Sequence, residues 1–289
     1  MSIWSRAVPA LDFHKMQGCG NDFIVVHAQE LHDGAAIPGA RQARALCDRR
    51  LGIGADGLIV ITPSKTADHR VIIYNSDGSR AEMCGNGIRC CALYVRLLGL
   101  SDKPSLLFET DAGPVAVETL ANDMFRVTMG PPILDAGKIP TAQLSGRVVM
   151  HELAVDAGRF FVTAVSMGNP HAVVYADALS DDLALRAGPA IGLHPFFPRK
   201  TNVEFVKVLS RSELRMRVWE RGCGETLACG TGACAAAVAG ILTGRNGNAV
   251  TVHLQGGDLS VEWSGNETSP VYLTGPAAVS FQGRAVIAP

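Results

Sequence analysis

The sequence predicts an α+β protein of two pseudo-symmetric domains, each a mostly antiparallel sheet wrapped around a central helix. Three observations lead to this fold class. Several motifs of the first half recur in the same order in the second half. Most of the chain consists of short segments typical of strands, and only two segments space their apolar residues as a helix does.

The internal repeat is carried by two motifs. Gly20-Asn21, followed by a pair of valines, recurs as Gly168-Asn169 at an offset of 148 residues. Cys84-Gly85-Asn86-Gly87 recurs as Cys229-Gly230-Thr231-Gly232 at an offset of 145 residues. Both offsets are close to half the chain length, so we infer two homologous halves.

A polar residue at the end of a strand-like run extends the repeat. Asn75 and Glu220 each stand nine residues before the cysteine of their own half. Homologous halves pack naturally about a pseudo-two-fold axis, with equivalent loops meeting in the cleft between them. We therefore expect Cys84 and Cys229 to lie opposite each other.

Periodicity assigns the elements of each half. Two helices are predicted, one from Ile88 to Leu98 with Gly99 as a stop, and one over Ala233–Leu242 with Gly244 after it. β-Branched content or alternation predicts the strands Phe23–His27, Leu58–Thr62, Val71–Asn75, Leu106–Glu109, Pro114–Glu118, Met124–Met129, Phe161–Val165, Ala172–Tyr175, Asn202–Val208, Leu214–Glu220, Ala249–His253 and Leu259–Trp263.

Glycine and proline mark the predicted domain boundaries. Met129-Gly130-Pro131-Pro132 is typical of a junction, and Gly275-Pro276 marks the return of the chain to the first domain for a final strand. The predicted domains are therefore 1–129 together with 275–289, and 130–274. About ten residues at the N-terminus are expected to form a loose extension.

Composition and charge exclude several classes of function. The 289 residues carry a formal net charge of −1, which favours neither nucleic acid nor an acidic membrane surface as a partner. The N-terminus lacks the apolar segment of a secretory signal, and the apolar stretch Ala233–Leu242 is too short to cross a bilayer. We expect a cytoplasmic protein with a small-molecule substrate and with its eight cysteines as free thiols.

The two repeated cysteines point to chemistry because each stands directly before the glycines that open a predicted helix. A helix start presents backbone N–H groups and the positive end of the helix dipole. A substrate carboxylate can bind those N–H groups, and a thiol at the same position is expected to have a lowered pKa.

A pair of such thiols predicts racemisation or epimerisation of an amino acid. A thiolate on one side of the α-carbon removes the proton, and a thiol on the other side returns one, which inverts the configuration. Two helix starts aimed at one carboxylate would stabilise the negative charge that develops on it. This reaction needs no cofactor and no metal. Cys91 and the other cysteines are expected to be structural, because cysteine is commonly buried.

Longer motifs show that the chain closely resembles the diaminopimelate epimerase family, from about Phe13 to Gly283. The motifs that carry the resemblance are Gly20-Asn21-Asp22-Phe23, Asn75-Ser76-Asp77-Gly78-Ser79, Glu82-Met83-Cys84-Gly85-Asn86-Gly87-Ile88-Arg89-Cys90, Met167-Gly168-Asn169-Pro170-His171, Thr201-Asn202-Val203-Glu204-Phe205, Glu220-Arg221-Gly222-Cys223-Gly224-Glu225-Thr226 and Ala228-Cys229-Gly230-Thr231-Gly232-Ala233-Cys234.

The resemblance implies a function and a role for each residue of the site. The family converts L,L-diaminopimelate to the meso isomer on the route to lysine and peptidoglycan, and it suggests a homodimer. Cys84 and Cys229 would be the base and acid, with His171 and Glu220 tuning the thiols. The substrate would be held by Asn21 and Glu220 near the reacting amino group, by the backbone of Gly85, Asn86, Gly230 and Thr231 at the reacting carboxylate, and by Asn75, Asn169, Asn202 and Arg221 at the distal centre.

The chain departs from the family pattern at a few positions. Gly57 stands where some members carry a glutamine that reaches the substrate, so that contact is absent here. Cys19 and Cys223 replace the commoner small or aliphatic residues. None of these positions belongs to the cysteine pair.

Two alternatives remain at this point. A proline or hydroxyproline racemase uses the same two-cysteine logic, but such sites typically carry histidine where this chain has Asn86, and they need no distal anchor such as Arg221. A metal-binding or purely structural protein would space its cysteines for a metal, whereas this chain has no paired C-x-x-C.

Overall fold

The computed structural model describes residues 10–32 and 36–286. The chain divides into two compact units at Val127/Thr128 and Gly275/Pro276, the first unit combining the N-terminal part with the last segment. The predicted α+β class is confirmed, because each unit is a mixed sheet accompanied by few helices. The proposed N-terminal extension lies almost wholly outside the described residues.

The elements follow one another along the chain in the same pattern twice. The first unit contains β1 (Ala10–Gly18), β2 (Asn21–His27), a 3-10 turn (Ala28–Glu30), β3 (Leu31–His32), α1 (Ala40–Cys47), β4 (Gly57–Thr62), β5 (His69–Asn75), β6 (Arg80–Ala81), α2 (Gly85–Leu97), β7 (Ser105–Thr110), β8 (Gly113–Thr119) and β9 (Met124–Thr128).

The second unit contains β10 (His151–Val155), β11 (Gly158–Ser166), β12 (Pro170–Tyr175), a π-helical turn (Leu183–Ala187) that leads into α3 (Gly188–Gly192), β13 (Asn202–Ser210), β14 (Glu213–Glu220), β15 (Gly224–Thr226), α4 (Gly230–Leu242), β16 (Ala249–Leu254), β17 (Gly257–Glu262) and β18 (Tyr272–Pro276). The final strand, β19 (Ala278–Val286), returns to the first unit and pairs with β1.

The strand pairings of the two units are the same. In the first unit β1–β2 is antiparallel, β2–β4 parallel, β4–β5 antiparallel, β5–β7 parallel and β7–β8–β9 antiparallel. In the second unit β11–β12, β12–β13, β13–β14, β14–β16 and β16–β17–β18 repeat that order. The repeat read from short motifs is therefore a repeat of topology.

The register of the parallel pairs is repeated as well. Phe23 on β2 lies opposite Gly57 on β4, and His171 on β12 lies opposite Asn202 on β13. These positions are related by the same two offsets, 148 and 145, that relate the sequence motifs. A one-residue slip would turn every side chain to the other face of the sheet, so a conserved register keeps equivalent side chains at equivalent places.

The central helices α2 and α4 begin in the same way. Each has 13 residues and takes its N-cap from a cysteine with extended backbone, Cys84 at φ −141° and ψ 117° and Cys229 at φ −131° and ψ 111°. Both helices are almost completely buried, which explains why α4 is built mainly from alanine and glycine. Small side chains let the surrounding strands approach the helix closely.

Short helices that the sequence analysis missed cover further apolar surface. α1 buries Ala43, Leu46 and Cys47 against β2 and β4, where Ile24 and Leu58 lie. The π-helical turn and α3 occupy the corresponding place in the second unit. These segments span fewer than three helical turns, so their periodicity is too short to distinguish a helix from an irregular loop. None of the helices in the described residues is long and apolar enough to cross a membrane.

The close contact between α4 and the buried Asn246 gives a test of this packing. A Cβ at Gly240 would overlap Asn246 Oδ1, and the Asn246 amide nitrogen donates to the carbonyl groups of Ala237 and Gly247. Gly240→Ala is expected to lower the free energy of unfolding by about 1–3 kcal/mol, because Asn246 must give up those bonds. Urea denaturation measures the change. Gly247→Ala is the control, since its Cβ would meet only Arg211 O at 3.5 Å.

Candidate active site

Cys84 lies at the start of α2 among asparagine side chains. Its thiol donates to Asn21 Oδ1 at 3.6 Å, and Asn86 Nδ2 donates to the same oxygen at 3.2 Å. Asn21 is the first residue of β2, and Asn86 is the second residue of α2. The structure thus brings together the Cys84, Asn21 and Asn86 of the prediction within the first unit.

Asp56, which the sequence analysis did not assign, fixes the orientation of Asn21. Its Oδ2 accepts from Asn21 Nδ2 at 2.8 Å, so the amide oxygen of Asn21 points to the cysteine. Arg49 in turn donates to Asp56 at 2.8 Å and to Asp22 at 2.7 Å. The available signal was the charge of Asp56 itself. It directly precedes Gly57, where the sequence analysis considered only the missing glutamine.

Arg89 was also missed. Its side chain is completely buried, and it donates to Asn86 Oδ1 at 2.9 Å, to Gly85 O at 3.2 Å and to Pro276 O at 3.0 Å. Because the guanidinium occupies the amide oxygen of Asn86, the amide nitrogen is directed to Asn21. A buried cation therefore lies one helical turn behind the Cys84 thiol.

Cys229 lies at the start of α4 in a more enclosed and more acidic setting. Its Sγ is 3.4 Å from Thr231 Oγ1, and its thiol also bonds the carboxylate of Glu220 at the end of β14. Glu220 accepts from Thr226 Oγ1 at 2.5 Å as well. Only 5% of Cys229 is exposed, whereas Cys84 is half-buried.

His171 connects to the same site through asparagine. Its Nε2 lies 3.0 Å from Asn169 Oδ1, and Asn169 Nδ2 donates to Thr231 Oγ1 at 3.3 Å. Its Nδ1 lies 2.7 Å from Oε1 of Glu204, and both of these residues are completely buried. Glu204 is a further group that the sequence analysis missed, although a charged residue in the apolar run of β13 was a signal.

The expectation of a lowered thiol pKa is wrong for Cys229. Burial, followed by the charges of Glu220 and Glu204, raises the pKa of Cys229 well above its ordinary value. Burial likewise raises the pKa of Glu220. Removing a thiolate from water costs more than the dipole of one helix returns, so the site disfavours the thiolate of Cys229.

The remaining predicted substrate residues lie at the same edge of each sheet. Asn202 Oδ1 accepts from the backbone N–H of Arg221 at 2.8 Å, and Arg221 Nη1 donates to Arg199 O at 3.1 Å. In the first unit Asn75 lies opposite Gly57 and donates to Ser79 Oγ at 2.9 Å.

Gly57 has a local reason to lack a side chain. A Cβ at this position would lie 2.7 Å from the carbonyl oxygen of Tyr74 and 3.4 Å from the ring of Phe23. Any larger residue needs a shift of β5 relative to β4. The absence of a glutamine here is therefore built into the backbone.

Several other cysteines are buried in the units. Burial raises the pKa of Cys90 and of Cys47 to about 12, and it also raises the pKa of Cys91 well above its ordinary value. Cys19 is buried, and Cys223 is exposed. Within residues 10–32 and 36–286, no group of three or more histidine, cysteine, aspartate or glutamate side chains is arranged to hold a metal ion.

Solved structures share this fold. The chain matches a hydroxyproline epimerase from Agrobacterium vitis with a TM-score of 0.71 and 17% identity, over 98% of this chain and 94% of the other. It matches a phenazine biosynthesis protein of the PhzF family from Bacillus anthracis with a TM-score of 0.69 and 15% identity, over 98% and 100%. At this identity the likeness concerns the fold alone.

The fold and the duplicated helix starts define a class of protein with two similar units, each of which carries a cysteine as the N-cap of its central helix. Sequence comparison is more specific. The family model for diaminopimelate epimerase matches residues 13–134 and 163–280. The chain belongs to the diaminopimelate epimerase family, which confirms the resemblance read from the motifs.

Individual relatives agree over nearly the whole chain. The diaminopimelate epimerase of Desulforudis audaxviator is 51% identical over 279 residues, which cover 95% of this chain and 99% of the relative. That of Moorella thermoacetica is 50% identical over 277 residues, which cover 94% and 98%.

The ion pairs of Asp22 with Lys15 and Arg49 predict that the protein loses stability as the pH falls. Arg49 also binds Asp56, which orients Asn21. Although burial opposes it, hydrogen bonds from Arg49 and Lys15 lower the pKa of Asp22 from 3.8 to about 2. Its contribution is complete above the unfolded pKa and is lost as the pH falls toward the folded one. Asp22→Asn is expected to lower the free energy of unfolding at pH 7 by about 1–2 kcal/mol.

The difference between Asp22→Asn and the wild type should narrow as the pH falls from about 4 to about 2. Urea denaturation at a series of pH values measures it. Exposed Asp102→Asn serves as the control and should leave the unfolding curves unchanged. If the difference in free energy of unfolding between the variant and the wild type stayed constant down to pH 2, the lowered pKa of Asp22 would be contradicted.

Proposed function

We propose that this protein converts L,L-diaminopimelate to meso-diaminopimelate, with Cys84 and Cys229 acting from opposite sides of one α-carbon and without a cofactor. Membership of the diaminopimelate epimerase family carries the proposal. Its chemical support is that each of the two cysteines is the N-cap of a 13-residue helix, with the same backbone geometry and with a glycine as the next residue.

The reaction is a transfer of one proton on each side of the carbon. The thiolate of one cysteine takes the α-proton and becomes a thiol, while the C–H electron pair passes to the carbon and its carboxylate. The thiol of the other cysteine gives its proton to the opposite side and becomes a thiolate. The backbone N–H groups after Cys84 and Cys229 would bind the carboxylate and stabilise its developing charge.

The surroundings of the two cysteines favour different resting states. Cys229 is enclosed, and Glu220 and Glu204 disfavour its thiolate. The buried guanidinium of Arg89, in the second turn of the helix that Cys84 begins, donates to Gly85 O at the start of that helix. We infer that Cys229 acts first as the acid, and that Cys84 acts as the base once it has lost the proton that it shares with Asn21 Oδ1. The roles are exchanged after one turnover.

Residues outside the two thiols would select a substrate with a second amino-acid head. Asn75 ends β5 opposite Gly57, and Asn202, the first residue of β13, accepts from the backbone N–H of Arg221, which directly follows β14. Asparagine offers both a donor and an acceptor, and a guanidinium binds carboxylates with two parallel bonds. Proline has no second head for these groups to bind.

Cysteine variants in deuterated water test the reaction. Cys84→Ala and Cys229→Ala should each lower the rate of epimerisation of L,L-diaminopimelate by more than about a hundredfold, because each removes one of the two proton carriers. Mass spectrometry of deuterium at the α-carbon and chiral chromatography of the product measure the reaction, and circular dichroism checks the fold.

L-Proline, incubated in parallel, distinguishes the alternative substrate. Deuterium entering proline and not diaminopimelate would refute the proposed substrate. Near-wild-type turnover by either alanine variant would refute the two-thiol mechanism.

We further propose a cytoplasmic homodimer in which β19 contributes to the interface. Phe281 and Val279 on β19 are 49% and 38% exposed, although both are apolar. Paired apolar residues on a strand surface are typical of a face that another chain covers.

Light scattering after size exclusion should give the mass of a dimer for the wild type and that of a monomer for Phe281→Glu, since a buried charge would oppose association. Leu144→Glu, at an isolated exposed leucine of the second unit, should remain a dimer. A monomeric wild type would refute this part of the proposal.

A further inference from the structure

Glu204 is a buried carboxylate that the proposed reaction uses neither to bind substrate nor to transfer a proton. It lies on β13 and is completely buried, and its Oε1 is 2.7 Å from Nδ1 of His171. Its other oxygen, Oε2, makes no hydrogen bond to any described residue. Burying a carboxylate is costly, so its presence calls for a physical reason.

Packing does not require a carboxylate at this place. The equivalent residue of the first unit is Ile59, at the same 145-residue offset that relates the two cysteines. A Cβ at Gly87 would lie 2.9 Å from Ile59 Cδ1, and a Cβ at Gly232 would lie 2.8 Å from Glu204 Oε1. Both side chains therefore pack against the first turn of the central helix, and the fold accepts an aliphatic residue there.

A continuous chain of hydrogen bonds leads from Glu204 to the sulfur. His171 Nε2 lies 3.0 Å from Asn169 Oδ1, and Asn169 Nδ2 lies 3.3 Å from Thr231 Oγ1. Thr231 Oγ1 lies 3.4 Å from Cys229 Sγ. This hydrogen-bond chain therefore ends at Cys229 Sγ, the atom that would react.

The donors and acceptors give this chain a direction. An amide oxygen only accepts, so the contact between His171 and Asn169 requires a proton on Nε2. The second proton of the pair lies between His171 Nδ1 and Glu204 Oε1. Thr231 accepts from the Asn169 amide, and its own O–H is then available to the sulfur. Each link donates toward Cys229.

We propose that Glu204 is a positioning residue that keeps a proton on His171 Nε2 and thereby aims the Thr231 hydroxyl at Cys229 Sγ. This inference deepens the proposed function and rests on it for its catalytic meaning. A carboxylate at Nδ1 lets His171 carry a proton on both ring nitrogens. In Glu204→Gln the imidazole is neutral, and when the glutamine oxygen accepts from Nδ1–H, no proton remains on Nε2. The Asn169 amide would turn to donate to that nitrogen, and Thr231 would donate to Asn169 instead of to the sulfur.

The charges around the sulfur show why such a donor matters. The titratable groups around Cys229 are His171 from β12, Glu204 from β13 and Glu220 from β14. Burial and both carboxylates raise the pKa of Cys229, while the bond to Thr231 lowers it. The Thr231 hydroxyl therefore offsets part of the cost of the thiolate that forms at Cys229 during each turnover.

The sign of one measurement separates this role from a purely electrostatic one. In Glu204→Gln, loss of a negative charge alone would move the ionisation of Cys229 to lower pH. Loss of the Thr231 donor moves the pH midpoint of Cys229 ionisation upward, and we expect an upward shift in this variant. At a fixed pH below that midpoint, the rate of Cys229 alkylation should fall about tenfold. Iodoacetamide modification, resolved by peptide mass spectrometry over a pH series, gives the midpoint.

Variants of Thr231 test the last link. Thr231→Val should raise the midpoint as Glu204→Gln does, and Thr231→Ser should restore the wild-type value because it keeps the hydroxyl. In the Thr231→Val background, Glu204→Gln should cause no further upward shift. If the two substitutions raised the Cys229 midpoint additively, the proposed hydrogen-bond chain from Glu204 to Cys229 would be refuted.

The control variant is Glu213→Gln. Glu213 also lies beside a histidine, with its Oε1 3.7 Å from His253 Nε2, but this pair stands at the other end of β14. We expect this variant to leave the Cys229 midpoint unchanged. A shift equal to that of Glu204→Gln would overturn the proposal.

A measurement on the wild type covers the case in which Glu204→Gln does not fold. Nitrogen-15 NMR of the histidine side chains should show that Nε2 of His171 carries a proton at pH 7. A bare Nε2, or a downward midpoint in Glu204→Gln, would overturn the inference. None of these readouts needs turnover, so an inactive wild type would refute the proposed function alone.

Discussion

Much of this structure depends on one contact, the approach of a helix start to a parallel pair of strands. In each unit a cysteine with extended backbone caps the central helix, and a glycine three residues later lies against the middle strand. A Cβ on Gly87 or Gly232 would meet that strand's side chain at less than 3.0 Å. The absence of side chains here lets backbone N–H groups and a thiol share one small space, which is the property that the proposed chemistry uses.

Duplication supplies the same backbone twice, and the side chains make the two copies chemically different. The position behind the first cysteine holds Ile59, and the equivalent position behind the second holds Glu204. Phe23 in the first unit is replaced by His171 in the second, at the same register of the parallel pair. An acid and a base must differ in their resting protonation, and a symmetric backbone alone cannot produce that difference. Substitution of a few buried residues can.

The sequence was most informative where long-range repetition and strong periodicity agreed. The fold class, the two central helices and most strands could be predicted because their apolar patterns extend over several residues. α1 and α3 could not, since short helices in loops have too few turns to show a period. The lowered pKa expected for Cys229 was wrong, because the helix start is visible in the sequence and the burial and neighbouring carboxylates are not. The role of Arg89 was not visible in the sequence either, because its hydrogen bonds to Gly85 and Asn86 form only when the chain is folded.

By itself, the sequence determined the duplication, the two cysteine motifs and the family, because each of these is a pattern of residue types along the chain. The tertiary structure decided how the polar groups behind each thiol are connected. Asp56 and Asn21 are 35 residues apart, and Glu204 and His171 are 33 apart, yet each pair is hydrogen-bonded. Hydrogen bonds and desolvation depend on distances of a few ångströms between segments remote in sequence, and only the folded sheet fixes those distances.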